Sequence, residues 1–188
     1  MAEYYLISQL PSLDGLSDNI PLPITEERFL ELCKRFLDKG AQKELISLST
    51  VPARQEEKSS SPLIEAWNNT ERALRLILAK ERAQKKKKSF EVQPFEIANS
   101  SPALVQAAKT AADIDNPMEA EIFLNNFRLD LLETLRPTDS FSKDYIFYYY
   151  LKLKLITRMR EFNLDSGISA YKNIYNSIMN GEKLEGVQ

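Results

Sequence analysis

Apolar residues along this chain recur mostly at intervals of three and four, the spacing that gathers one face of an α-helix. The pattern is clearest at Phe29, Leu32, Cys33, Phe36 and Leu37. Thr25 stands before it as an N-cap, Glu26 and Glu27 follow at the positive end of the helix dipole, and Ile24 can staple onto Phe29. Gly40 is placed to stop this helix. A short second helix is predicted over 41–48, with Leu45 and Leu48 inward. Ser61-Pro62 then opens a long helix, Ser as N-cap and Pro at the first helical position. It is predicted to reach about Lys87, about 26 residues or roughly 39 Å. Leu63, Trp67, Thr70, Leu74 and Ile77 form a narrow stripe along it, with Leu78 beside them.

The second half repeats the capped start. Ser101-Pro102 opens a helix of about 11 residues, and Asn116-Pro117 opens one to about Leu135. In the latter, Ile122, Phe123, Phe127, Leu131, Leu132 and Leu135 mark the expected buried face, and Arg136-Pro137 ends it. Ser142 caps a helix from Lys143 to about Phe162, and a last helix runs from about Asp165 to Met179 before Gly181. Residues 145–151 are apolar or aromatic all round, the profile of a helix surrounded by protein.

Between these helices the pattern breaks. Residues 3–10 are aromatic and apolar without helical spacing and read as a short extended segment. Residues 11–24 hold three prolines and read as a connector. Residues 49–61 have almost no apolar content and read as a mobile loop. Residues 89–101 read as an irregular strap, with Phe90, Val92, Phe95 and Ile97 laid against the helices. No hairpin signal occurs. The fold class is therefore all-α: an irregular multi-helix bundle of six or seven helices with a short extended N-terminal segment, in one domain over 1–188.

Composition then narrows the chemistry. The chain of 188 residues has no histidine, one cysteine and five scattered glycines. That removes Ser-His, Cys-His and His-metal sites, disulfides within the chain, and glycine-rich phosphate loops. No cofactor and no metal are expected. A net charge of −2 gives no global field directed at nucleic acid or a membrane surface. The apolar runs are far shorter than the roughly 20 residues of a membrane span, and the first residues lack the basic start of a signal peptide.

Few residues remain as functional candidates. Tyr148 and Tyr150 belong to the apolar helix and read either as core or as partner-facing, because a tyrosine has an apolar ring and a polar tip. Trp67 reads as packing or as an exposed anchor. Lys85, Lys86, Lys87 and Lys88 read as a solvated helix end, favoured by the dipole, or as a site for an acidic partner; nucleic acid is the weaker alternative, since no aromatic is interleaved to stack a base. Glu119, Glu121, Asp130 and Glu133 share a helix but lack the histidines of di-metal bundles and read as surface charge. Cys33 reads as a small buried hydrophobe. Lys152, Lys154, Arg158 and Arg160 are expected to keep the rest of their helix wet.

Two stretches carry a resemblance. Tyr4-Tyr5-Leu6-Ile7-Ser8-Gln9-Leu10-Pro11, followed by the connector and Phe29-Leu30-Glu31-Leu32-Cys33, is similar to the opening of a small bacterial family encoded among V-type ATPase subunits. Asn116-Pro117-Met118-Glu119-Ala120-Glu121, Phe127 to Glu133, Phe141, Tyr150 to Leu153, Arg158 and Glu161-Phe162-Asn163 are similar to the same family. That family more distantly resembles the C-type funnel component of V/A-type ATPases (the d-type component in eukaryotes), an all-helical protein that sits on the membrane ring and receives the rotor shaft. The resemblance implies a non-catalytic role coupling shaft to ring in proton or sodium transport. It implies other V-type ATPase subunits as partners and a cytoplasmic position, peripheral to the inner membrane through them. The funnel component is much longer and has three lobes, so a reduced funnel, a partial equivalent and an accessory protein all stay open. The alternative is a helical adaptor or assembly factor acting through other protein–protein contacts.

Overall fold

The computed structural model describes residues 2–16, 21–52, 59–92, 97, 100–161 and 164–179. Among the described residues there are eight helices and no strand: α1 (Ala2–Ser8), α2 (Glu26–Phe36), α3 (Lys39–Ser47), α4 (Pro62–Lys85), α5 (Pro102–Asp113), α6 (Pro117–Thr134), α7 (Lys143–Glu161) and α8 (Leu164–Met179). The all-α reading holds, with one or two helices more than expected.

One extra helix is α1, where an extended segment was expected. Strand propensity has no outlet in a chain whose described residues form no sheet, because an unpaired strand leaves its backbone groups without partners. The helix satisfies them internally. Leu6 is buried against α2, while Tyr4 and Tyr5 stay exposed and Tyr4 stacks on Phe141 at 4.6 Å.

The α2–α3 junction also departs from expectation. Thr25 caps α2 as predicted, accepting from the Arg28 amide at 3.3 Å. Gly40, however, lies inside the first turn of α3 and stops nothing. Leu37 ends α2 in an extended conformation and Asp38 starts α3, accepting from the Ala41 amide at 2.9 Å. The end of α2 manages without a glycine because the Gln42 side chain donates to the carbonyls of Lys34 and Leu37 at 3.2 and 2.7 Å.

The three proline-led starts stand as read, capped by Ser61, Ser101 and Asn116. The Ser61 hydroxyl also donates to Asp144 at 2.7 Å, which joins the start of α4 to the first turn of α7. Just before it, Ser59 and Ser60 are held by the Glu44 carboxylate, so this end of the expected mobile loop is anchored; residues 53–58 of that loop lie outside the described residues. Of the expected strap, Phe90 is exposed and Ile97 is packed on the core, while Phe95 lies outside the described residues.

Helix α7 is the axis of the larger core. It packs against α2, α3, α4 and α6, and every residue from Ile146 to Leu153 is buried. Phe29 lies stacked against both Tyr149 and Tyr150, with centroids 5.4 and 5.2 Å away. A second core fills the space between α4, α5 and α6, from Leu74, Ile77, Leu104, Ala108, Ala111 and Leu124. Alanines dominate the α5 side, and small side chains let the two helices lie close. The buried face of α4 is wider than the predicted seam: Ile64 and Ala73 join it, and so does Glu71. That of α6 is rotated from prediction, with Leu124, Asn125, Arg128 and Leu132 innermost.

Helix α4 ends two residues earlier than predicted, in a two-bond C-terminal lock. The Lys88 amide donates to the Ala83 carbonyl at 2.9 Å and the Lys87 amide to Gln84 at 3.0 Å. Lys87 takes the left-handed conformation this requires, with φ at 52°. A side chain there is strained by about 1–2 kcal/mol relative to glycine. Lys87→Gly is therefore expected to raise the unfolding free energy by about 1 kcal/mol. Lys86→Gly, one residue earlier at φ −83°, is expected to lower it by about 0.5–1 kcal/mol. Urea denaturation of the two variants, equal in charge, checks both.

Candidate functional site

The middle of the bundle holds a charged cluster. Glu71 comes from α4, on the line of Trp67, Leu74 and Leu78, and is fully buried. Arg128 comes from α6, on the line of Leu124 and Leu132, and is buried as well. The guanidinium grips the carboxylate with two bonds, Nε to Oε2 and Nη2 to Oε1, both 2.9 Å. This forked geometry is the strongest form of such a pair. Arg75, one turn further along α4, donates Nε to Glu71 Oε1 at 2.7 Å and reaches the Thr50 carbonyl at 3.4 Å. The remaining Nη1 of Arg128 donates to Asn125 Oδ1 at 3.2 Å and lies 3.8 Å from Glu121. Glu121 in turn accepts from Arg158 of α7 at 3.0 Å. One network thus ties α4, α6, α7 and the segment after α3.

A second cluster lies where the connector crosses α7. Lys152 Nζ meets Asp14 Oδ1 and Glu133 Oε1, each at 2.5 Å. Tyr148, one turn before Lys152, donates its hydroxyl to the same Glu133 oxygen at 2.6 Å. Tyr149 donates to the Pro11 carbonyl at 2.8 Å, and Leu13 is buried beneath the crossing. The crossing separates two clefts of about 260 and 270 Å³, and Leu13, Asp14 and Lys152 line both. Arg136 sits over the rings of Tyr145 and Tyr148, 5.8 Å from each centroid.

These contacts set the protonation states. Burial and the Glu133 bond push the Tyr148 phenol up to about 12. Burial works against the Lys152 charge, but the Asp14 and Glu133 bonds outweigh it and hold the ammonium above its ordinary range. Burial likewise works against Glu133, and the Lys152 and Tyr148 bonds bring its carboxyl below the ordinary value. The Lys152 bond is the main reason that Asp14 lies low. Through Glu133 and Asp14, Tyr148 and Lys152 form a latch between the connector, α6 and α7.

The residues singled out from sequence fall in two places. Trp67, Tyr148 and Tyr150 are buried in the chain's own core, which agrees with the packing side of each reading. Lys85, Lys86, Lys87 and Lys88 are exposed, roughly 27 Å from Trp67 along α4. Lys85 is bound to Asp113 and to the Ala112 carbonyl, both at 2.7 Å, and so fastens α4 to α5. The expected wet side of α7 needs correction, since Lys152 is buried and Lys154 lies 4.6 Å over the Tyr150 ring while donating to the Leu48 carbonyl. Of the α6 carboxylates, Glu119 and Asp130 are exposed as read, whereas Glu121 and Glu133 carry the two networks. Cys33 is buried, and that burial pushes its thiol up to about 12. Among the described residues no group of acidic or sulfur side chains is arranged to hold a metal ion, and no helix is long and apolar enough to cross a membrane.

Sequence reasoning missed Glu71 and Arg128. The signal was present: each occupies a position that the apolar spacing of its helix reserves for the core, and their charges are opposite. No family model, curated protein or solved structure matches the chain.

Two outcomes follow. Glu71→Leu leaves the Arg128 guanidinium buried without its partner and is expected to cost about 3–5 kcal/mol in stability. The double variant with Arg128→Leu is expected to recover most of that loss, as measured by urea denaturation of the single and double variants. The latch predicts the pH dependence. Asp14 and Glu133 lie below their ordinary values of 3.8 and 4.5, so their contribution is complete above those values and is lost as pH falls through the lower folded ones. Tyr148 moves from 10.0 to about 12, so its contribution is complete below pH 10 and is lost as pH rises toward 12. Thermal melts between pH 9 and 12 are expected to fall less steeply for Tyr148→Phe than for the parent chain.

Proposed function

We propose that this chain is a non-catalytic subunit of a bacterial V-type ATPase, a C-like element that couples the central rotor shaft to the membrane ring. The observation that carries the reading is the likeness of two stretches, Tyr4 to Cys33 and Asn116 to Asn163, to one family encoded with such complexes. The reading rests on those residues and not on a matched structure.

The physical make-up of the chain supports the same role. A coupling element must carry load between neighbours without changing its internal register. Helices α4, α6 and α7 are 24, 18 and 19 residues long and are clasped to one another by buried or half-buried ion pairs. The side chains with the most distinctive chemistry are engaged within the chain, Tyr148 and Lys152 with Glu133 and Arg128 with Glu71. Contact with a membrane ring needs no apolar span in this chain, since the ring would be met through its polar loops.

Co-expression with the shaft and ring subunits of the complex from the same source tests the reading. The expected result is a stable co-purifying complex with at least one of them. Failure to associate with either, under conditions in which the remaining subunits assemble, would remove it. A stable complex with a protein outside the ATPase would favour the adaptor reading in its place.

A further inference from the structure

The last helix presents an apolar face that the other described residues leave exposed. Ile168, Tyr171, Tyr175 and Ile178 follow one another at steps of three, four and three, the spacing of a coiled-coil seam. They are 43%, 68%, 51% and 65% exposed, and Ile174 beside them is 52% exposed. Tyr171 and Tyr175 lie one turn apart with their rings nearly parallel, 20° between planes and 6.2 Å between centroids. None of the principal helix pairings includes α8. Exposed apolar residues scattered singly are ordinary, but a continuous stripe of five on one helix marks a surface made for contact.

We propose that the α8 stripe is a homotypic interface, on which a second copy of this chain docks helix against helix. The amount of surface decides whether a pair of copies could hold together. With these exposures, two tyrosines and three isoleucines place roughly 600 Å² of side-chain surface on the stripe. Two copies face to face would remove at most about 1,200 Å² from water, the lower end of the range for specific association, as suits a weak dimer.

The flanking residues choose the occupant. Seams that select a different partner do so through charges beside the apolar line, which attract the right helix and repel the wrong one. Between Ile168 and Ile178 the only charged residue is Lys172, and the other polar positions are Ser169, Asn173, Asn176 and Ser177. Such a face has nearly nothing with which to reject its own copy. A seam of this spacing is also self-complementary about a two-fold axis, since each knob meets a hole of the kind its own helix offers. The proposal is independent of the ATPase reading, because it concerns only what two copies of the purified chain do.

Sedimentation velocity on the full chain, over about 5–300 µM, tests it. The expected result is a monomer–dimer equilibrium with a dissociation constant in the micromolar range. Tyr171→Glu with Ile178→Glu is expected to raise that constant at least a hundredfold. Because both positions are exposed, thermal melts at low micromolar concentration should match those of the parent chain, which shows that the variant folds. A chain that stays monomeric to 300 µM overturns the proposal, and so does a dimer that persists unchanged in the double variant. Cysteine linkage gives a second reading against a quiet background, since the one native thiol, Cys33, is buried and poorly ionised. Ile168→Cys and Ile178→Cys, singly and mixed, are expected to give an intermolecular disulfide in at least one preparation under mild oxidation. Linkage in none of them overturns the proposal as well.

Discussion

A glutamate and an arginine removed from water together govern how this bundle is assembled. The Glu71–Arg128 pair is fully formed, with both guanidinium bonds at 2.9 Å and Arg75 and Asn125 on the flanks. Such a pair adds little net stability, because taking each ion out of water costs several kcal/mol and the fork mainly restores that loss. Its effect is on register. Sliding α6 along α4 by one turn, about 5.4 Å, would bury both charges unpaired, at a cost of about 3–5 kcal/mol. An apolar face of leucines and isoleucines discriminates far less between neighbouring registers. The pair therefore favours the observed register of α4 and α6, which α5 and α7 also hold by packing against both.

The rest of the architecture follows from that placement. With α4 and α6 set, Glu121 is brought to Arg158 and Glu133 to Lys152, so α7 is attached to α6 near both ends. Helix α7 then lies where α2 and α3 can close over its aromatic segment, with Phe29 against Tyr149 and Tyr150. The connector crosses α7, held by Asp14 on Lys152 and by Tyr149 on the Pro11 carbonyl. Lys152 keeps Glu133 as a second carboxylate, so its charge is balanced from two sides of the crossing. Bonded side chains in series thus link α4 to α6 and α6 to α7.

The helical starts were legible because they are local. Thr25, Ser61, Ser101 and Asn116 each satisfy amides within three residues of themselves, and a proline or an acidic turn follows each. The central position of α7 was legible because no face of Tyr145–Leu151 is polar. What stayed hidden depends on neighbours distant in sequence. The end of α2 is capped by a side chain from α3, so Gly40 misled. The segment at 3–10 is helical because there is no strand among the described residues for it to join. The face of α6 is rotated because Arg128 follows Glu71 inward, and a count of apolar residues passes over a charged one standing on the apolar line. Lys152 was read as wet for a like reason, since its partners stand 138 and 19 residues away. For Trp67, Tyr148 and Tyr150 the sequence left core and interface both open, because these residue types are favoured in each and only packing separates the two.

Contact surfaces are where this core has no claim. Three exposed features remain on separate elements: the α8 stripe, the Tyr4–Phe141 stack beside Tyr5, and the lysines that end α4. They differ in kind. The stripe is a long apolar line, the aromatic group is a small patch shared by α1 and the turn before α7, and Lys86, Lys87 and Lys88 form a compact positive end. A frame that holds its internal register and carries chemically distinct surfaces on different elements can engage more than one neighbour at once without mixing them. That is the mechanical requirement of a coupling element. For the role we propose, the interior clasp matters because it joins α4, α6 and α7, and the exterior features matter because an apolar line, an aromatic patch and a positive end each suit a different kind of neighbour.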